Sequence, residues 1–295
     1  MSQTSIAKWS EALRLPGETD LIHSSLRELV EYFGISEAEA RRAGETAVAD
    51  SKREWERAPR ETPKQVLDFY DRTRSYIFEH VWWHAMDLEI NAINVEFLDY
   101  ALRQGVRDYL DFGSGVGANA ILFARSGLQV TLADVSHTML DFARWRMERR
   151  GLKAEYVYLR ERDLPRRGFD LVTVVDVFEH LVDPRAEVRR IGAALKPGGA
   201  MIFNCRAGYD PERPMHILST MYPIFRELRH SGFRAAGPAA DPIRALGGYY
   251  AFIQGEQGRI SNLGWGLYDH LRYGPVAELS KSALDRMRAR RVEAG

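Results

Sequence analysis

The residues best equipped for chemistry lie in Tyr109-Leu110-Asp111-Phe112-Gly113-Ser114-Gly115-Val116-Gly117, where an apolar strand ends in a carboxylate and runs into three alternating glycines. Glycines at this spacing let the backbone turn sharply and approach a ligand closely. The following Ala118 to Ser126 run reads as a helix whose N-terminus faces the same place. A nucleoside-containing cofactor is the expected occupant. Gly113, Gly115 and Ala118 also satisfy the dinucleotide fingerprint, in which a pyrophosphate sits on the helix end. Asp111 shifts the balance, because a carboxylate two residues before the first glycine would repel a pyrophosphate and attract an ammonium. S-adenosylmethionine, with an ammonium, a sulfonium and no phosphate, meets that charge requirement better than NAD.

A second strand, Leu128 to Asp134, ends in a carboxylate placed to accept from both ribose hydroxyls. Asp134 alone suits NAD equally well, and its structural alternative is to cap the helix beginning near Ser136. That helix runs from His137 to Arg149 with Met139, Leu140, Phe142 and Ala143 on its apolar side. Further on, Phe169 to Pro184 is a buried-strand run ending in Asp176, Glu179 and His180. A helix, the turn Leu195-Lys196-Pro197-Gly198-Gly199 and another apolar strand, Ala200 to Asn204, follow.

The ordered set DFGSGVG, TLADVSHTML, RERDLP, FDLVTVVDVFEHLVDP and LKPGGAMIF resembles the class I S-adenosylmethionine-dependent methyltransferases, of the type acting on small molecules and quinone precursors. The resemblance covers about 107–254. It implies that Asp111 and the backbone of Gly113, Ser114, Gly115 and Gly117 hold the methionine part of the cofactor, and that Asp134 holds the ribose. Val135 with Met139 or Leu140 would form an adenine face. Asp176 would offer its carbonyl to the amino group, with Val177 and Phe178 beside it. The third motif departs from the family: where an Asp often precedes the Leu-Pro pair by a few residues, Arg160, Glu161 and Arg162 stand here. Asp163, adjacent to Leu164, and Glu161 are the acidic candidates left.

Methyl transfer from a sulfonium is an in-line displacement, so the protein positions the acceptor and removes a proton. Candidate bases are Glu179 and His180, at the carboxyl edge where open parallel sheets bind ligands, and His216 after the fifth strand. Their structural alternatives are packing beneath a neighbouring helix for His180 and a helix start for His216. The aromatic segment Phe69 to His84 reads as a lid with Tyr70, Tyr76 or Trp83 lining the cavity, since rings attract a sulfonium, or as plain core. His80 and His84 share a helical face at a metal-ligand spacing, but no third ligand is evident beyond Asp87 and no metal is expected.

These residues need a scaffold. The 295 residues, 45% hydrophobic and 28% charged, can bury a substantial core. A net charge of +0 gives no pull toward nucleic acid. Local basic runs, Arg144 to Arg150 and Arg286 to Arg291, read as solvated helix faces. Lone Cys205 reads as a small buried residue in a protein of the reducing cytosol. No signal peptide or membrane-spanning run is evident, so the chain is expected to be soluble and cytoplasmic.

The expected fold is α/β: a Rossmann-like, doubly wound, mostly parallel seven-stranded sheet with an antiparallel last strand. It would occupy 106–255, including a helix from Met215 to His230. Residues 1–105 read as a helical lid or substrate cover, with a strongly charged surface helix from Glu37 to Trp55. Residues 256–295 form a C-terminal extension with a helix from Pro275 to Arg291. The expected activity is methylation of an oxygen or nitrogen of a small-molecule acceptor, with S-adenosylmethionine as cofactor; a homodimer is compatible with the helical region. The alternatives are an S-adenosylmethionine-binding enzyme or module of another class, or an NAD-dependent oxidoreductase.

Overall fold

The computed structural model describes residues 1–255; the glycine-rich stretch after 257, the Arg286 to Arg291 run and the helix expected over Pro275 to Arg291 lie outside the described residues. Helices come first: α1 (Gln3–Leu13), α2 (Leu21–Phe33), α3 (Glu37–Arg57), α4 (Pro63–Arg72), α5 (Ser75–Met86), α6 (Leu88–Asn91) and α7 (Ile93–Arg103). Side-chain oxygens of Ser2, Asp20, Ser36 and Thr62 cap α1 to α4, the last two as full capping boxes with Glu39 and Gln65. The long aromatic run is broken at Thr73, whose extended backbone ends α4, and Glu54 of α3 accepts from the hydroxyls of Thr73 and Ser75 across that break. α3 is not wholly a surface helix: Ala40, Gly44, Ala47, Ser51 and Trp55 form a buried stripe, and Gly44 leaves room for Trp82 of α5.

Strands and helices then alternate: β1 (Asp108–Phe112), α8 (Ala118–Arg125), β2 (Gln129–Asp134), α9 (His137–Arg149), β3 (Glu155–Tyr158), β4 (Phe169–Val174), α10 (Pro184–Ala194), β5 (Leu195–Asn204), α11 (Tyr222–His230), β6 (Phe233–Ala235), α12 (Asp241–Ala245) and β7 (Tyr249–Gln254). The sheet order is β3-β2-β1-β4-β5-β7-β6, and β7 runs antiparallel to both neighbours. The other pairings are parallel. Such strands are covered on both faces, which is why β1 and β4 are buried at nearly every position and not at alternate ones. Strand order reverses between β1 and β4, so their carboxyl ends open the crevice in which doubly wound sheets bind ligands.

One core lies on each face of the sheet, around Leu132 and Phe123 on one side and Phe178 and Phe203 on the other. A third joins Leu26, Leu29, Trp55, Phe69, Tyr76 and Ile77 of the N-terminal helices to Val116 and Phe142. Beneath it the basic run of α9 departs from a solvated face. Arg146 and Arg150 are buried against Glu28 of α2, and Arg146 Nη1 also donates to the Val116 carbonyl at 2.9 Å. Charges removed from water require such partners.

The helix expected from Met215 begins only at Tyr222, with Pro223 in its first turn. The amides of Ile217 and Leu218 instead donate to the Glu179 carbonyl, at 2.8 and 3.2 Å, which pulls this segment into a loop across the end of β4.

Candidate functional site

Gly113, Gly115 and Gly117 all adopt positive φ, and the amides of Gly113 and Ser114 both donate to the Ala133 carbonyl of β2. Gly115 is restricted twice, since at φ +50° a Cβ would also lie 2.9 Å from His80 Nδ1. Asp134 braces the same loop, accepting from Gly115 N and Ser136 N at 2.9 Å each. The cap of α9 is Ser136, whose hydroxyl accepts from Met139 N. Burial raises the Asp134 carboxyl above its ordinary range. Asp111 lies under the loop, 4% exposed, accepting from Thr173 Oγ1 at 3.3 Å, with Tyr109 Oη 2.6 Å from that hydroxyl. Burial pushes Asp111 up to about 7.

α5 covers the glycines. His80 stands against Gly115, the Tyr76 ring is 5.6 Å from His80, and Val177 closes on Gly113 from the β4 side. Tyr76 Oη and Ser114 Oγ are both buried without a hydrogen-bond partner. Trp83 lies beside His84, which packs edge-on to Trp9. Burial lowers the pKa of His80 and His84, favouring the neutral rings.

Past β4, Asp176 takes φ +53°, a conformation costing about 1–3 kcal/mol in a residue other than glycine. Asn204, at the end of β5, holds it there: its Oδ1 accepts from Asp176 N at 2.6 Å and its Nδ2 donates to Asp176 Oδ1 at 2.7 Å. The 3-10 turn Phe178–His180 follows. Phe178 is buried against Phe203. Glu179 is 1% exposed with both carboxylate oxygens unpartnered, and burial, reinforced by Asp176, pushes it up to about 8. His180 Nδ1 is 3.1 Å from Tyr70 Oη, which donates to the Met215 carbonyl at 3.2 Å. The half-buried His216 ring meets His180 edge-on at 4.8 Å. Burial, then His216, presses His180 down to about 3. Arg213 holds the loop to α5 through Glu79 at 2.7 Å.

The adenine-side candidates Val135, Met139 and Leu164 fall in two cores. Leu164 is buried in the core around Phe178, with Val135 packed against the same core, and Met139 is buried in the core that joins the N-terminal helices. Asp163, with its side chain 86% exposed, reaches Arg190 of α10, and Glu161 is exposed near His137. The acid found near this edge is Asp71 of α4, which accepts from His137 N at 2.7 Å and Tyr158 Oη at 3.0 Å and pairs with Arg160 at 3.3 Å. Nothing in the local sequence distinguishes Asp71, Asn204 or Glu28 from ordinary polar residues, because their partners lie 28 to 122 positions away.

A family model described as a methyltransferase domain matches residues 110–201. Over that span the chain is similar to methyltransferases, the class that the sequence resemblance implies. Among individual relatives, the ubiquinone biosynthesis O-methyltransferase of Stutzerimonas stutzeri is 29% identical over 133 residues, covering 42% of this chain and 57% of that protein. Its counterpart in Xanthomonas axonopodis pv. citri is 30% identical, covering 42% and 55%. The chain thus spans just over half the length of these relatives. A solved O-methyltransferase from a trans-AT polyketide synthase multienzyme of Brevibacillus brevis, in complex with S-adenosyl-L-homocysteine, is 11% identical; the match covers 68% of this chain and 85% of that one at a TM-score of 0.48.

The residues present fit the cofactor of this class. Two buried carboxylates end adjacent strands beside the glycine loop, and two orphaned hydroxyls, Ser114 and Tyr76, are the donors an amino-acid carboxylate needs.

Proposed function

We propose that this chain transfers the methyl group of S-adenosylmethionine to an oxygen or nitrogen of a small molecule, in a site closed by residues 1–105. The observation that carries the reading is the meeting, at one sheet edge, of the glycine loop, the buried Asp111 and Asp134, and the neutral His180. When bound, the cofactor supplies an activated methyl group. Asp111 would then ionise against the ammonium. Asp134 would take the ribose hydroxyls on the lone pairs that Gly115 and Ser136 leave open, and Ser114 and Tyr76 would hold the carboxylate.

His180 is the proton acceptor in this reading. A weak base suffices, because an acceptor oxygen becomes strongly acidic as the methyl group arrives. Glu179, with its pKa near 8, is largely protonated at neutral pH. The O-methyltransferase relatives favour oxygen as the acceptor atom. A cover of this kind suits a small acceptor, and the lone cysteine suits a cytoplasmic setting.

Calorimetric titration with S-adenosylmethionine, its demethylated product and NAD tests the cofactor. Binding of NAD and not of S-adenosylmethionine would overturn the proposal. Accumulation of demethylated product with a mixture of phenolic and amine acceptors tests transfer. His180→Ala should keep cofactor affinity and lose turnover; equal turnover removes His180 from the reaction.

A further inference from the structure

Tyr70 is only partly exposed, and its hydroxyl reaches inward to two groups at once, the Met215 carbonyl at 3.2 Å and His180 Nδ1 at 3.1 Å. A phenol has a single proton to donate, and a carbonyl oxygen can only accept. The proton therefore goes to Met215, and the hydroxyl turns a lone pair toward the imidazole. For that 3.1 Å contact to be a hydrogen bond, Nδ1 must carry the ring proton. Burial raises the phenol far above its ordinary range, so this arrangement does not change through the neutral range. The edge-on His216 ring and the 3-10 turn restrict rotation of the same imidazole.

We infer that Tyr70 is a positioning residue which fixes His180 in the Nδ1–H tautomer, leaving Nε2 as the bare nitrogen that accepts the acceptor's proton. This rests on the reading of His180 as proton acceptor. In the step, the acceptor's O–H or N–H bond breaks as its heteroatom bonds to the methyl carbon and the sulfonium carbon–sulfur bond opens. The proton passes to Nε2 and then to solvent. The tautomer is the requirement: with the proton on Nε2, that nitrogen would oppose the acceptor's own donor. Tyr70 is carried by α4, in the region read as a cover, so the cover itself supplies the group that sets the tautomer.

The test uses the full chain labelled with 15N at histidine. Long-range 1H–15N correlation, with the His180 signal assigned by its loss in His180→Ala, reads the tautomer directly and needs neither cofactor nor acceptor. The expected result is the Nδ1–H form in the wild type. Tyr70→Phe keeps the ring that packs near Trp55 and Tyr76 but removes the hydroxyl. It should lower the Nδ1–H population and cut kcat by about tenfold to a hundredfold, with KM for S-adenosylmethionine within about twofold. An Nε2–H wild type overturns the inference, as does an unchanged tautomer and kcat in Tyr70→Phe. If Tyr70→Phe fails to fold, the wild-type spectrum still decides. Failure of the underlying reading is separate: it shows as full turnover in His180→Ala, whatever the tautomer.

Discussion

Asp111 makes cofactor binding a proton-linked event whose size follows from its surroundings. Free, its carboxyl is pushed up to about 7 by burial, with Thr173 offsetting only part of that cost. An ammonium placed against it favours the ionised form, so binding expels whatever proton the free carboxyl holds. The sign is fixed: affinity rises with pH up to about 7 and falls below it. For a bound-state value under 5, the observed association constant scales with the ionised fraction of the free protein. It is then about half its limit at pH 7, about a tenth at pH 6 and about a hundredth at pH 5. The loss from pH 7 to pH 5 is about fiftyfold, or about 2.3 kcal/mol. Isothermal titration calorimetry in buffers of different ionisation enthalpy should register release of about half a proton at pH 7 and about 0.9 at pH 6. Asp134 is raised in the same direction and adds to the slope, so Asp111→Asn isolates the effect. That variant should bind more weakly at pH 7 and lose most of the pH dependence. An affinity flat from pH 5 to 7, or a slope identical in Asp111→Asn, would refute the assignment of this carboxylate to a cation.

Other consequences are equally checkable. Asp134→Ala removes both the brace on Gly115 and the ribose acceptor, and should weaken S-adenosylmethionine binding by about 3 kcal/mol, roughly a hundredfold; calorimetry showing less than about threefold would contradict that role. Glu28→Ala strands two buried guanidinium groups and should cost about 3–5 kcal/mol in urea unfolding, whereas a loss below about 1 kcal/mol would mean the buried pairing is not formed. Glu179, raised from 4.5 to about 8, stabilises the fold most below pH 4.5 and loses that contribution as pH climbs to about 8. At pH 7 the loss is about 3 kcal/mol, so Glu179→Gln should flatten the fall in Tm between pH 5 and 8, and parallel curves for the two proteins would count against it.

The parts of this molecule legible in its sequence are those specified locally. β1, the glycine loop and α8 form one continuous signal. The boundaries of α9 agree to the residue, because Ser136 announces its start. Contacts across the chain were not legible. Arg146 reads as surface in a run of arginines until Glu28 is seen to meet it. Met215 reads as helix until the Glu179 carbonyl takes the amides of Ile217 and Leu218. Asp163 follows its motif in sequence, yet its exposed side chain pairs with Arg190, and Arg160, three residues earlier, pairs with Asp68 and Asp71.

One guanidinium has an evolutionary consequence. Arg146 grips Glu28, 118 positions earlier, with one edge and the Val116 carbonyl with another. Neither charged residue can drift alone without stranding its mate in the interior. Homologous chains should therefore exchange the two positions together or keep both. A lineage that acquired a different N-terminal segment would have to rewrite the middle of α9 as well.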